Sequence, residues 1–229
     1  MPYQLITRTQ EKWNTPSSEL NRMNTDFLFE TDNEFGFPIV RTSKDFHAED
    51  LIPFHTCKKC LAKDRDKAVH FFLDDYKFEQ VWSRPRDFVT TFKHYGNILV
   101  PTFSVWENQP YALNLFNIYR SRWIARFYQE YGINVLIDVR WADESTYPFC
   151  FSGIEKNSPV IVNTVGTHYR DNRDLFKRGF EVMINSIEPS KLYVYGEYYP
   201  VEFEKYFDSV TYFDSEWAKK RRALKEKTL

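Results

Sequence analysis

Short apolar runs alternate with segments of helical spacing from residue 69 onwards. Six of the runs are predicted to be strands: Val69–Leu73, Ile98–Phe103, Asn134–Val139, Pro159–Val165, Lys191–Tyr195 and Val210–Phe213. Continuous apolar strands separated by helices are typical of a parallel sheet that is covered on both faces. The pattern therefore predicts a single α/β domain with a mostly parallel sheet, either an open doubly wound sheet or an incomplete, distorted β/α barrel.

The clearest predicted helix runs from Tyr111 to Tyr131, because apolar residues recur there at helical spacing and Gly132 follows. Another helix is predicted from Asp171 to Ile187. The stretch "RSRWIARF" in the first helix mixes arginines with aromatic residues, which also occurs on nucleic-acid stacking surfaces. Its aromatic residues share one helical face, so core packing is the favoured interpretation, and Arg120 is the arginine that could turn towards a site.

The flanks of the chain differ from this regular middle. Residues 1–67 contain turn signals and short apolar islands bounded by proline, so we expect an irregular N-terminal arm that packs on the core. The α/β domain is expected over residues 68–215. Residues 216–229 are predicted to form a basic C-terminal helix or tail, in which the run Lys219–Arg222 is interpreted as a solvated face.

Composition and charge exclude several classes of protein. Hydrophobic residues make up 42% of the chain and charged residues 28%, which is ordinary for a soluble globular protein. The formal net charge of −1 gives no strong nucleic-acid signature and no attraction to an anionic membrane. Apolar runs are too short to span a bilayer, no secretory signal is recognised, and three cysteines do not suggest a disulfide scaffold. We expect a cytoplasmic protein.

The expected functional site lies at the carboxyl ends of the strands, where parallel α/β folds bind their ligands. Candidate catalytic residues there are Asp75, Asp138, His168 and Glu197. Candidate ligand-binding residues are Asp74, Arg120, Arg140, Gly166 and Thr167. These residues come from separate parts of the chain, and together they describe an acidic site with cationic groups beside it.

Asp74 and Asp75 admit two interpretations. Neighbouring carboxylates can bind a divalent cation or act as a general acid and base. Alternatively, one of them caps the helix that is expected near Lys77 and the other faces water. Adjacent residues of a strand point to opposite faces, so both cannot face one pocket if the strand continues through them.

The segment "VGTHYRDN", residues 165–172, joins a strand to a helix. Gly166 permits close approach of the backbone, and Asp171 or Asn172 is the expected N-cap. A helix N-terminus attracts phosphate, although the glycine spacing of a P-loop is absent. His168 could be a general base, or a histidine whose hydrogen bonds are satisfied at the surface or in the core.

The stretch "HTCKKC" places His55, Cys57 and Cys60 close together, which is half of a zinc motif. Cys150, His47 or His70 would be needed to complete a mixed site. One half-motif is a weak signal, so the sequence favours two reduced thiols in a loop and weighs against structural zinc at Cys57 and Cys60.

Three stretches occur in an order that resembles a known family. They are "VHFFLDDYKFEQVWSRP", "ILVPTFSVWENQPYALNLFNIYRSRWIARFYQEYGINVLIDVRWADESTYPFCFSGI" and "VIVNTVG". Over roughly residues 35–197 the chain resembles the phage and mobile-element family called domain of unknown function 4417. The matching motif residues are Asp74, Asp75, Pro101, Asn117, Arg120, Arg122, Trp123, Trp141, Asp143, Ser145 and Gly153. The resemblance implies a bacteriophage or mobile-element protein that works inside a bacterial host cell, and "HTCKKC" is not among the family's features.

Two classes of function remain open from the sequence. The first is a hydrolytic or nucleotide-directed enzyme, with Asp75 and Asp138 as divalent-cation ligands or base and Arg140 or Arg120 as a clamp for a small phosphorylated ligand. The second is a non-catalytic protein that binds a host or phage component, for example to block a defence system. A nucleic-acid-binding accessory protein is a further alternative, but it needs a local basic groove.

Overall fold

A parallel sheet of seven strands forms the frame of the protein. The computed structural model describes residues 23–24 and 27–226. In chain order the strands are β1 (Asp50–Pro53), β2 (Lys67–His70), β3 (Asn97–Leu99), β4 (Asn134–Asp138), β5 (Val160–Asn163), β6 (Leu192–Tyr195) and β7 (Val210–Phe213). Each strand pairs in parallel with the next one along the chain. The predicted α/β domain is confirmed, and the sheet is the barrel-like alternative, nearly closed.

Seven α-helices are found in the described residues. They are α1 (Phe54–Cys57), α2 (Glu79–Ser83), α3 (Val89–Tyr95), α4 (Tyr111–Glu130), α5 (Tyr147–Cys150), α6 (Arg170–Ile187) and α7 (Glu216–Glu226). The two long predicted helices are confirmed as α4 and α6, each with ends within one residue of the prediction. None of these helices is both long and apolar enough to cross a lipid bilayer.

The sheet separates two cores because successive strand residues face opposite sides. On β4, Val135 and Ile137 belong to the large outer core beneath the helices, whereas Leu136 belongs to the small inner core. Asp138 follows Leu136 at the same alternation and therefore faces the inside, at the carboxyl end of the strand. The inner core also contains Leu51, Ala68, Leu99, Ile161, Tyr193, Tyr195 and Phe213.

Aromatic rings fill the inside of the barrel. The ring of Phe46 packs edge-on against Tyr193, with 5.4 Å between centroids. Nearer the carboxyl ends, the rings of Phe72 and Tyr195 are stacked at 4.0 Å. The interior is therefore a packed core rather than a channel. Ligands can reach the carboxyl ends of the strands only from the solvent side of those ends, not through the barrel.

The last helix, α7, lies across the two edges of the sheet, β1 and β7. The Nζ of Lys219 donates to Asp50 Oδ1 at 2.7 Å and to the Leu51 carbonyl at 3.0 Å. Arg221 pairs with Glu197, and Arg222 pairs with Asp214. The predicted C-terminal helix forms, but three of the four cations in its basic run are engaged by carboxylates of the same chain. Intramolecular neutralisation leaves little charge there for nucleic acid.

His70 is buried beneath α7, at the end of β2. Its Nδ1 accepts the backbone N–H of Phe72 at 3.2 Å, so the neutral ring carries its proton on Nε2. That nitrogen faces Glu216 Oε1 at 3.7 Å, with Lys219 and Asp50 close by. Burial lowers the pKa of His70 in the folded protein, while the Glu216 carboxylate opposes that effect.

Acid is expected to destabilise the protein through His70. Because its pKa is lower in the folded than in the unfolded state, the unfolded chain binds the extra proton first as pH falls below about 6.5. Stability is then lost by at most about 1.4 kcal/mol per pH unit from this group. Urea unfolding between pH 7.5 and 5.5 should show a smaller loss for His70→Gln than for the wild type. The exposed His168→Gln serves as control, and identical pH profiles for wild type and His70→Gln would contradict the assignment.

Candidate functional site

A groove of about 580 Å³ opens above the carboxyl ends of β3, β4 and β5. Its polar lining includes Arg140, Asn163, Asn172 and Arg178, and Trp106 is on its wall. Since parallel α/β folds bind ligands at this end of the sheet, the groove is the candidate site of this protein.

Asp138 forms an ion pair with Arg140, which lines the groove. The Arg140 Nε donates to Asp138 Oδ2 at 3.0 Å. Asp138 is only 2% exposed, and its other oxygen, Oδ1, is buried and accepts no hydrogen bond within the described chain. Burying a carboxylate oxygen without a donor costs free energy, and such atoms in a native fold call for an explanation.

The loop that follows β3 is held by three side chains, two of them from α4. Phe103 N–H donates to Ser121 Oγ. The backbone N–H and the hydroxyl of Ser104 donate to the two carboxylate oxygens of Asp75, at 3.0 and 2.9 Å, and its carbonyl accepts from Asn117. Asp75 thus fixes one wall of the groove without lining the groove itself.

Trp106 is the next residue of this loop to be fixed. Asn114, on the first turn of α4, accepts the Trp106 N–H through Oδ1 at 3.2 Å and donates to the Trp106 carbonyl through Nδ2 at 2.9 Å. Asn114 is 3% exposed whereas Trp106 is 63% exposed. A buried amide therefore positions the backbone of an exposed indole.

The loop between β5 and α6 forms the opposite wall. Thr167 Oγ1 donates to the Thr164 carbonyl, and Asn172 Nδ2 donates to the Gly166 carbonyl. Gly166 has φ of +89°, a conformation that side chains disfavour. The helix begins at Arg170 with Tyr169 at the N-cap position and no side-chain cap, so the expected capping by Asp171 or Asn172 was wrong.

Trp141 forms the wall towards α6 by packing directly on Gly179. A Cβ added to Gly179 would lie 2.1 Å from the indole Nε1, so only glycine leaves room for the ring. The indole also contacts the ring of Phe176. A lone glycine in the middle of a predicted helix was the sequence signal for this close approach, and it was missed.

The predicted site residues divide into two groups. Arg140, Gly166 and Thr167 line the groove, and Asp138 lies beneath Arg140. His168 is exposed with its ring against Tyr169, and is not part of the groove lining. Their catalytic and binding roles stay predictions.

The remaining candidates are bound to other parts of the chain. Asp74 is exposed and pairs with Lys77 at 2.6 Å, without a side-chain capping bond. Arg120 pairs with Glu79 at 2.9 Å and lies over the ring of Phe103. Glu197 accepts from the backbone N–H and the hydroxyl of Ser215, ahead of α7.

The "HTCKKC" thiols are a buried and a half-buried cysteine. Burial raises the pKa of Cys57 to about 12, which keeps that thiol protonated at neutral pH. Cys150 is also buried, with its pKa raised to about 12 for the same reason. Across residues 23–24 and 27–226, no three histidine, cysteine, aspartate or glutamate side chains are grouped so as to hold a metal ion.

Comparison with known proteins places the chain beside phage proteins. The model of the family described as domain of unknown function (DUF4417) matches residues 29–214. A Gene 1 protein of Mycobacterium phage L5 is 33% identical over 198 residues, which span 83% of this chain and 84% of that protein. A Gene 1 protein of Mycobacterium phage D29 is 30% identical over 197 residues, spanning 83% of this chain and 71% of that protein. No solved structure matches.

Proposed function

This chain belongs to the phage-type family of domain of unknown function 4417, and from that premise we propose that its groove is the site of a hydrolytic enzyme for small phosphorylated molecules. Arg140 is the clamp for the phosphate, and Asp138 is the acid–base group. The observation that carries this proposal is the buried Asp138 Oδ1, which has no hydrogen-bond donor within the described chain. A substrate, water or cation in the groove would supply the missing partner.

The chemistry of the pair suits hydrolysis. Arg140 uses Nε for Asp138, and its two terminal nitrogens have no acceptor in the described part of the chain, so both can donate to a phosphate. Asp138 would take a proton from a water molecule as that water attacks phosphorus, and the leaving oxygen would depart with the electron pair of the broken P–O bond and be protonated by solvent water. A divalent cation, if the reaction uses one, would be held by Asp138 Oδ1 and the phosphate of the substrate together.

Two variants test the proposal. Arg140→Gln removes the clamp, and we expect it to weaken binding of ribose 5-phosphate by about 10- to 100-fold, the effect of losing charge-assisted hydrogen bonds. Asp138→Asn should retain binding but lose hydrolysis of p-nitrophenyl phosphate. Binding is measured by calorimetry with and without Mg²⁺, and turnover by release of nitrophenol.

The matched control is Arg222→Gln. Arg222 is on α7, away from the groove, and is paired with Asp214. It should leave both measurements unchanged. The proposal fails if ribose 5-phosphate does not bind the wild type, or if Arg140→Gln and Arg222→Gln bind it equally well.

Binding of a protein partner is the second candidate, and exposed tyrosines favour it. Tyr198, Tyr199, Tyr206 and Tyr212 are between 37% and 48% exposed in and around the segment between β6 and β7. Tyrosine is enriched at protein interfaces. Capture of a single host or phage protein by the wild type but not by Tyr199→Ala would support this role, and equal capture by both would count against it.

A further inference from the structure

The indole of Trp106 is the most exposed large aromatic surface in the groove. It is 63% exposed, and no other aromatic ring stacks on it within the described chain. An indole left in water forgoes the stabilisation that its burial would give, and a mobile loop would let it fold back onto the protein. The loop prevents this, because its backbone is fixed on both sides of the indole.

Two of the three residues that provide this fixation, Asn114 and Asn117, are buried, and the third, Asp75, is half-buried. Asn114 holds the N–H and the carbonyl of Trp106, and Asp75 and Asn117 hold Ser104 two residues earlier. An aromatic ring that is presented to solvent by a rigid backbone loses little entropy when a flat group stacks on it. We call the exposed indole the Trp106 platform.

The platform lies beside the proposed phosphate clamp. Trp106 follows β3, Arg140 follows β4 and Asn163 ends β5, and these three strands are neighbours in the sheet. The side chains of Trp106 and Arg140 both line the same groove of about 580 Å³. One ligand can therefore meet the indole and the guanidinium at once.

The charges of the groove limit how many phosphates such a ligand carries. Arg140 and Arg178 line it together with the carboxylates Glu107 and Asp171, and Asp138 lies beneath. Arg178 is also 3.5 Å from Glu144. Two cations among this many carboxylates suit a single phosphate group better than a chain of three.

Resting on the proposed phosphate site, we infer that the substrate is a nucleoside monophosphate, whose base stacks on the Trp106 platform while its phosphate binds Arg140. Asn163 supplies a further polar contact between these two ends. Its Oδ1 accepts the Val165 N–H, and its Nδ2 has no acceptor in the described chain, so this amide can donate to the sugar or the base.

The test compares ligands with and without a base. Calorimetry of the full chain with AMP, GMP, CMP, UMP and ribose 5-phosphate should show at least one nucleotide binding about tenfold or more tightly than ribose 5-phosphate. Trp106→Ala should abolish that advantage and leave ribose 5-phosphate binding unchanged. Stacking should also quench the fluorescence of Trp106.

Trp217→Ala is the matched control, because Trp217 is a second exposed tryptophan, 72% exposed, on α7. It should retain the full preference for nucleotides. If ribose 5-phosphate and the nucleotides bind equally well, or if Trp106→Ala weakens neither, the platform is overturned while the phosphate site stands. If none of these ligands binds, the proposed function and this inference fail together.

Discussion

Replacing Arg122 by leucine is expected to lower the free energy of unfolding by about 3–4 kcal/mol, because two backbone carbonyls would be left without donors. Arg122 is 1% exposed within α4. Its Nη2 donates to the Cys150 carbonyl at 2.7 Å and its Nε to the Ser152 carbonyl at 3.0 Å, at the end of α5. Burial lowers the pKa of this guanidinium to about 10, so it stays charged at neutral pH.

The loss of stability should extend beyond α5. Arg122 binds the turn at Ser152, and the N-terminal segment around Val40 pairs with the next residue of that turn, Gly153. Gly153 has φ of +69°, and its added Cβ would lie 2.8 Å from the Pro38 carbonyl and 3.5 Å from the Arg122 side chain. Val40 N–H donates to the Gly153 carbonyl at 2.9 Å. Without the guanidinium, this junction loses one support from α4, and Gln129 of the same helix, which bonds to the backbone of Arg41, remains.

Urea unfolding and thermal melts measure the effect of Arg122→Leu, and a loss of this size corresponds to a fall in melting temperature of about 10 °C. The control is Arg84→Leu, which removes an exposed arginine and should leave the melting temperature unchanged. A melting temperature for Arg122→Leu equal to that of Arg84→Leu would disprove the structural role of the buried guanidinium.

Replacing Gly179 by alanine is the second large effect expected, a destabilisation of about 2–3 kcal/mol from overpacking. In an exposed helix the same change would stabilise by about 1 kcal/mol, because alanine is the better helix former. Here the new Cβ would lie 2.1 Å from the Trp141 indole, so the ring must leave its place against α6. Whether Gly179→Ala lowers or raises the free energy of unfolding therefore shows whether Trp141 packs on Gly179.

Displacing Trp141 would also remove one wall of the groove. We expect Gly179→Ala to lose binding of ribose 5-phosphate, measured by calorimetry below its melting temperature. Ser186→Ala, an exposed change in the same helix, should retain both stability and binding. A stabilised Gly179→Ala protein would show that the indole does not pack on this glycine.

The sequence predicted most of the fold because its strands are apolar runs and its long helices have strong periodicity. Strand β1 was missed within the expected irregular arm. Its sequence, Asp-Leu-Ile-Pro, is only four residues long and ends in a proline, which is tolerated at the edge of a sheet but otherwise argues against a strand. Local pattern carries little information about such a strand.

The position of the groove was predicted, but the contacts of its residues were not. Asp75 was expected from its place after a strand, and its partner Ser104 lies 29 positions away. Arg120 pairs with Glu79, which is 41 positions away in the sequence. Composition and spacing cannot indicate such pairs, because they depend on how distant loops meet in the folded chain.

Several residues that carry the family resemblance hold the scaffold around the groove. Asn117 binds the loop after β3, Arg122 binds the end of α5, and Trp141 packs on α6. Asp143 accepts hydrogen bonds from the backbone and the hydroxyl of Ser145. The family motifs thus describe how the loops are built, and the chemistry is to be sought in the side chains that these loops present.

The helix across the open side of the sheet has a consequence for self-association. A strand at a sheet edge presents unpaired backbone groups, to which a strand from another chain can add. On β1, the Lys219 ammonium occupies the Leu51 carbonyl and the Asp50 carboxylate. A charged side chain at that edge opposes intermolecular strand addition, so a barrel that is not closed by hydrogen bonds is still protected against polymerisation through its β1 edge.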